Sequence, residues 1–164
     1  MIGEALLVYV IAERLAELVI SARNTKALRA RGAVEAGAGH YPIMVALHVS
    51  WLAAVIAWVG FTQPQANVPF VAAYVLVQVL RIWVMGSLGR YWTTRIISLP
   101  DAPLVAGGPY KFLRHPNYVV VTLEVAILPL VYGAYHIAAV FSVLNAMMLF
   151  VRIRAENAAL TARR

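Results

Sequence analysis

Apolar residues along this chain come in long unbroken runs, unlike the alternation of a half-buried strand or the narrow stripe of a surface helix. Ile2–Ile20 is the first run, Ile43–Thr62 the second and Val68–Leu88 the third, the last two joined by the polar turn Gln63-Pro64-Gln65-Ala66-Asn67. Each has roughly the 20 residues that a helix needs to cross a hydrocarbon core about 30 Å thick. The final run, Tyr118–Val151, would extend roughly 51 Å as one helix, too long for a single crossing. Pro129 and Gly133 fall near its middle and divide it into a hairpin of two short helices. The pattern predicts an all-α bundle of five transmembrane helices, the last two forming that hairpin, in a single domain over residues 1–164. The first run is expected to stay attached: its basic residues follow the apolar stretch, and no small-x-small cleavage site comes after it.

Composition removes the soluble alternatives. The 164 residues are 62% hydrophobic and only 13% charged, with a mean hydropathy of +0.76, above ordinary soluble domains. A net charge of +7 would in isolation suggest nucleic acid, but in so apolar a chain basic residues mark the cytoplasmic face, and no nucleic-acid partner is expected. Their placement agrees. Arg23, Lys26, Arg29 and Arg31 follow the first span, Arg90, Arg95, Lys111 and Arg114 the third, and Arg152, Arg154, Arg163 and Arg164 the fifth, while the opposite connections carry none. The amino terminus is therefore predicted outside and the carboxyl terminus in the cytoplasm. There is no cysteine, which excludes disulfides and thiolate chemistry, and His40, His48, His115 and His136 lack the close spacing of a metal site.

Two stretches on the basic side are longer than connections need. Residues 23–42 start as a helical continuation and become Gly-rich, and 89–117, with four prolines, read as mostly irregular; a loop of that length in a small protein is ordinarily functional. Within the spans lie Glu13, Arg14, Glu17, Arg81 and Glu124, all roughly 9–14 Å from the basic boundary. Five ionisable groups at one depth suggest a shared polar pocket for substrate, although Arg14/Glu17 and Arg81/Glu124 would serve equally as structural ion pairs.

The densest chemistry is Gly107-Gly108-Pro109-Tyr110-Lys111-Phe112-Leu113-Arg114-His115-Pro116-Asn117-Tyr118. Two glycines free the backbone for close approach to a ligand, and a cation, an imidazole and a phenol gather at a helix start. Gly108-Pro-Tyr-x-x-x-Arg114-His115-Pro116-x-Tyr118, a hairpin and then Arg152-x-x-x-Glu156 resemble the isoprenylcysteine carboxyl methyltransferase family of integral-membrane enzymes. The resemblance covers about residues 70–160. It implies that S-adenosylmethionine is the cofactor and that a cytoplasmic loop, with the end of the fifth span (about 89–160 in all), wraps it. Arg114 and His115 would hold its amino-acid end, Leu104, Val105, Gly108, Tyr110 and Tyr118 would line its pocket, and Glu156 would bind it or orient substrate. Arg152 and Glu156 then become catalytic candidates. Two positions depart from the family: Asn157 stands where a second Glu is usual, and Val120 where a Gly is usual.

The amino-terminal half, with Glu13-Arg14-Leu-x-Glu17-Leu, Arg31-Gly-Ala-x-Glu35 and Gly39-His40-Tyr41-Pro42, is similar to a bacterial subgroup associated with type III polyketide synthases. That implies O-methylation of a phenolic or pyrone polyketide lipid at a bacterial inner membrane, and a functional link to such a synthase; carboxyl methylation of a prenylated cysteine is the other acceptor class. A phenol with a pKa of about 10 gains from a general base, for which His40, Glu35 and His48 are candidates, His48 serving equally as a satisfied polar group of a helix interface. Glu35 joins Arg14, Glu17, Arg81 and Glu124 as a candidate for contact with substrate. A small transporter or a structural membrane protein would also carry charges inside its spans, but neither needs the long 89–117 segment or the Arg114/His115/Tyr118 cluster.

Overall fold

A computed structural model of the protein describes residues 2–100 and 102–161; Arg163 and Arg164 of the basic side lie outside the described residues. Among the described residues there are five α-helices: α1 (Ile2–Arg29), α2 (Tyr41–Thr62), α3 (Val68–Leu88), α4 (Pro116–Val131) and α5 (Tyr135–Thr161). Proline opens three of them, Pro42 in α2, Pro69 in α3 and Pro116 in α4, at first-turn positions where its missing N–H costs nothing. Gly133, at φ +66, ends α4. There the Gly133 N–H reaches Leu130 O at 3.1 Å and the Ala134 N–H reaches Pro129 O at 2.9 Å, the paired bonds of a Schellman turn.

Three helices, α2, α3 and α5, are long and apolar enough to cross a membrane. α1 is long but carries Glu4, Glu13, Arg14 and Glu17, and α4 is shorter. Outward faces are apolar: Phe61 is 90% exposed, Leu76 70% and Met147 65%. In water such a surface would be an aggregation hazard; in a bilayer it is solvated by acyl chains. The core joins Leu7 and Val10 of α1, Trp51 and Val55 of α2, Tyr74 of α3, and Val125 and Leu128 of α4. Indole N–H groups of α2 tie it to α4, Trp51 donating to Val125 O at 3.2 Å and Trp58 to Tyr132 O at 2.9 Å.

Two expectations are corrected. The last helix is not short: α5 continues ten residues past Val151 to Thr161, because its final turns are amphipathic and keep Arg152 inward although hydropathy has ended. The bundle is all-α, as expected, but the two long segments on the basic side are not wholly irregular. β1 (Val34–Ala36) pairs antiparallel with β2 (Ile96–Ser98), Glu35 opposite Ile97, so the two segments read as loops are stitched together over the basic end of the bundle.

Candidate active site

The α3–α4 segment is held to the bundle by side chains from distant helices. Asn24 of α1 donates to Trp92 O at 2.8 Å. The Thr94 N–H donates to Ser21 Oγ at 2.9 Å, and Thr94 Oγ1 lies 2.8 Å from Ser21 Oγ and 3.1 Å from Tyr41 Oη. Its carbonyl accepts from Arg152 Nη2 at 2.9 Å. Thr94 thus gathers α1, α2 and α5 at one residue. Gly108 serves a different end from the ligand approach expected of it. At φ +58 it seats the turn 108–111 on α3, and a Cβ there would strike Ser87 Oγ and lie 3.2 Å from Trp83 Nε1.

Under this segment is a cavity of about 420 Å³, within the size range of small-molecule sites. Leu104 and Val105 line one side, Tyr110, Arg114, His115 and Tyr118 another, and Arg152 and Glu156 of α5 a third. Tyr118 donates to Glu156 Oε2 at 2.5 Å, and His115 Nδ1 lies 3.7 Å from the same oxygen. The His115 ring stacks on Tyr118 with centroids 5.5 Å apart, and its Nε2 is 3.3 Å from Asn157 Oδ1. Asn157, where the resembled family has Glu, thus holds the catalytic candidate's neighbour. Val120, the other departure, is fully buried against Val77 and Val84 of α3, away from the cavity wall. Burial, and after it the Glu156 carboxylate, pushes the Tyr110 phenol well above its ordinary pKa, so the residue stays neutral.

Among the wall residues that sequence reasoning missed, two carry polar atoms that bear on binding. Trp92 Nε1 and Asn117 Oδ1 are buried and have no hydrogen-bond partner among the described residues. One is a donor and one an acceptor, and buried polar atoms in native structures are otherwise nearly always satisfied. Asn117 sits inside the Arg-His-Pro-x-Tyr element and was findable there; Trp92 has no local signal.

The charges inside the helices do converge, as a network of crossed ion pairs. Arg81 is 4% exposed and is bracketed by Glu17, at 2.6 Å from Nη2, and by Glu124. Arg14 reaches Glu124 at 2.9 Å and Glu17 and Glu13 at 3.0 Å each, and Gln78 donates to Glu124 at 3.0 Å. The pairing is crossed, each arginine bridging Glu17 of α1 to Glu124 of α4, so neither expected pair is isolated.

Glu35 is likewise engaged, accepting from Arg29 and from Arg95 at 2.6 Å. His48 Nδ1 lies 2.8 Å from Met44 O one turn back, the satisfied arrangement. His40 packs on Gly37, where a Cβ would collide with its ring, and its buried Nε2 has no hydrogen-bond partner among the described residues. It does not line the cavity, though the Arg152 charge acts on it.

A helical bundle with apolar flanks and a partly enclosed cavity at one end fits an integral membrane protein. Residues 70–162 match the isoprenylcysteine carboxyl methyltransferase (ICMT) family, and the chain belongs to it. Membership makes it a membrane methyltransferase of a family that uses S-adenosylmethionine. The chain is 42% identical over 158 residues to YpbQ of Bacillus subtilis, covering 94% of each. It is 28% identical over 160 residues to a protein of Haemophilus influenzae, covering 93% of this chain and 91% of that one. Both relatives are described as uncharacterized. No solved structure matches significantly. The matched stretch contains every residue of the cavity wall except Leu28.

Proposed function

We propose that the chain is an S-adenosylmethionine-dependent O-methyltransferase whose acceptor is a phenolic or pyrone polyketide lipid at the cytoplasmic face of a bacterial inner membrane. In this reading α1 and α4 complete five spans, the amino terminus is outside, the basic end is cytoplasmic, and a type III polyketide synthase supplies the acceptor. The observation that carries the reading is the Tyr118–Glu156 bond, which joins the Arg114–Tyr118 cluster to the α5 carboxylate on one cavity wall.

The wall suits the cofactor. The unpartnered Trp92 N–H and Asn117 oxygen, with Arg114 at the exposed edge and His115 beside it, complement a ligand that carries a carboxylate, an amine and a purine. When bound, S-adenosylmethionine supplies an electrophilic methyl on a positively charged sulfur, and the pair of the broken C–S bond stays on sulfur. Arg114 and His115 hold the amino-acid end, and Leu104, Val105, Tyr110 and Tyr118 exclude water around the rest. Glu156 takes the proton of the acceptor hydroxyl as its oxygen forms the new C–O bond. Arg152, fixed by the Thr94 carbonyl, stabilises charge on that oxygen. Glu156 is favoured as base over Glu35 and His48 because, of the three, it is the one that lines the cavity. Arg14, Glu17, Arg81 and Glu124 are ion-paired with one another, which supports a bundle-locking role, while Arg14 Nε and Gln78 Oε1 are buried with no hydrogen-bond partner among the described residues.

Calorimetry with S-adenosylhomocysteine on folded protein tests the cofactor; absence of binding rejects the reading. Labelled S-adenosylmethionine offered with an alkylresorcinol, an alkylpyrone or a prenylated cysteine analogue then tests the acceptor. Label in the first two is expected, and label in the prenylated cysteine alone assigns carboxyl methylation instead.

A further inference from the structure

A second hollow, of about 470 Å³, runs along α1 on the other side of Thr94 from the cofactor cavity. Leu18, Ser21, Ala22, Thr25, Lys26 and Arg29 form its α1 wall, and that three-and-four spacing is a single helix face. Tyr41 of α2, Thr94 and Arg95 close it. Only Thr94 and Arg95 belong to the family-matched stretch, so the groove is built almost wholly by the half of the chain that the family model leaves out.

Its chemistry is graded along α1. At one end Leu18 is 50% exposed and continues into the exposed Leu15 and Val19. At the other lie Lys26, Arg29 and Arg95, with the Arg95 guanidinium 3.8 Å from the Tyr41 ring centroid. Glu35 engages Arg29 and Arg95, whereas Lys26 has no ion-pair partner among the described residues. Between the ends the Thr25 hydroxyl is buried, the residue 8% exposed, and lacks a hydrogen-bond partner among the described residues. A buried hydroxyl without a partner is rare in native structures, and a polar ligand atom in the groove would account for this one.

The groove also adjoins the chemistry. Arg95 lines both hollows, and Thr94 shows its hydroxyl to the groove side while its carbonyl holds Arg152 of the cofactor cavity. We propose that this α1 groove is the docking site of the methyl acceptor, taking an amphiphile with one apolar tail along Leu18 and, toward Thr25 and Lys26, an acidic oxygen of its head other than the one whose proton Glu156 takes. The assignment rests on the methyltransferase reading. It places acceptor selection in α1 and leaves the cofactor to the family-shared half.

The test uses the full chain in detergent micelles and two photoreactive probes, a resorcinol and a prenylated cysteine analogue, each with a diazirine in its tail. Crosslinks by either within 15–29, displaced by the matching unlabelled compound and not by phosphatidylglycerol, are expected; which probe labels distinguishes phenol from carboxylate. Ala22→Trp, which fills the groove, and Lys26→Ala, which removes the free cation, each lower that labelling about tenfold, with S-adenosylhomocysteine affinity and circular dichroism unchanged. Crosslinks elsewhere, none from either probe, displacement by phosphatidylglycerol, or labelling indifferent to both substitutions overturns the groove. Loss of S-adenosylhomocysteine binding by the unaltered chain instead overturns the methyltransferase reading, since labelling is read without the cofactor.

Discussion

The Tyr118 phenol donates to the Glu156 carboxylate at 2.5 Å, joining the first turn of α4 to the last turns of α5. The same oxygen faces His115, so one carboxylate is shared by two residues of the motif. Two substitutions are diagnostic. His115→Ala and Glu156→Gln should each lower methyl transfer at least about 100-fold, the scale of a lost acid–base or positioning group, while helical circular dichroism stays the same. Activity near that of the unaltered enzyme would refute the assignment.

Arg81 should behave differently. Removing it leaves Glu17 and Glu124 buried without their main counter-charge, which costs about 3–5 kcal/mol. Arg81→Met is expected to lower the unfolding midpoint in detergent markedly, while folded protein keeps its affinity for S-adenosylhomocysteine. A variant that is fully stable but has a raised KM for acceptor would identify the network as a substrate site.

Gly108→Ala combines a positive φ, worth about 1–2 kcal/mol against any residue with a Cβ, with a collision against Ser87. Cofactor affinity by calorimetry should fall, because the turn that carries Tyr110 must lift from α3. Adding Ser87→Ala removes the hydroxyl but not the φ penalty, so partial recovery is expected. No recovery would mean that the collision is irrelevant.

Orientation is open to direct measurement because the chain has no cysteine. Gln65→Cys, in the α2–α3 turn, should react with a membrane-impermeant maleimide on intact cells, and Lys111→Cys only after permeabilisation. The reverse pattern would invert the topology.

How much of this was legible beforehand follows from the range of each interaction. Apolar runs marked the helices because hydropathy is local, and a similar distance along the helices from the basic end brought Glu13, Arg14, Glu17, Arg81 and Glu124 to one level. The Arg114–Tyr118 cluster was contiguous and therefore visible. Strands of three residues each, paired across sixty positions, leave no period to detect. Glu35 read as a free base because its partners, Arg29 and Arg95, come from opposite sides of that pairing. Gly108 read as a ligand-facing glycine because Ser87, its actual neighbour, lies on another helix. Thr94 had no signal at all: its importance comes from three hydroxyl and guanidinium partners that only the folded chain assembles.

The unbroken course of α5 has a further consequence. From the turn at Gly133 to Glu156 no glycine or proline interrupts the helix, so it acts as a ruler that spaces the reacting groups from the far end by residue count alone. One residue inserted between Ile137 and Met148 would swing Arg152 and Glu156 by about 100° around the helix axis, and seven would restore the facing but shift both by roughly 10 Å. Residue number along this helix, more than the identity of its lipid-facing side chains, is what the site constrains.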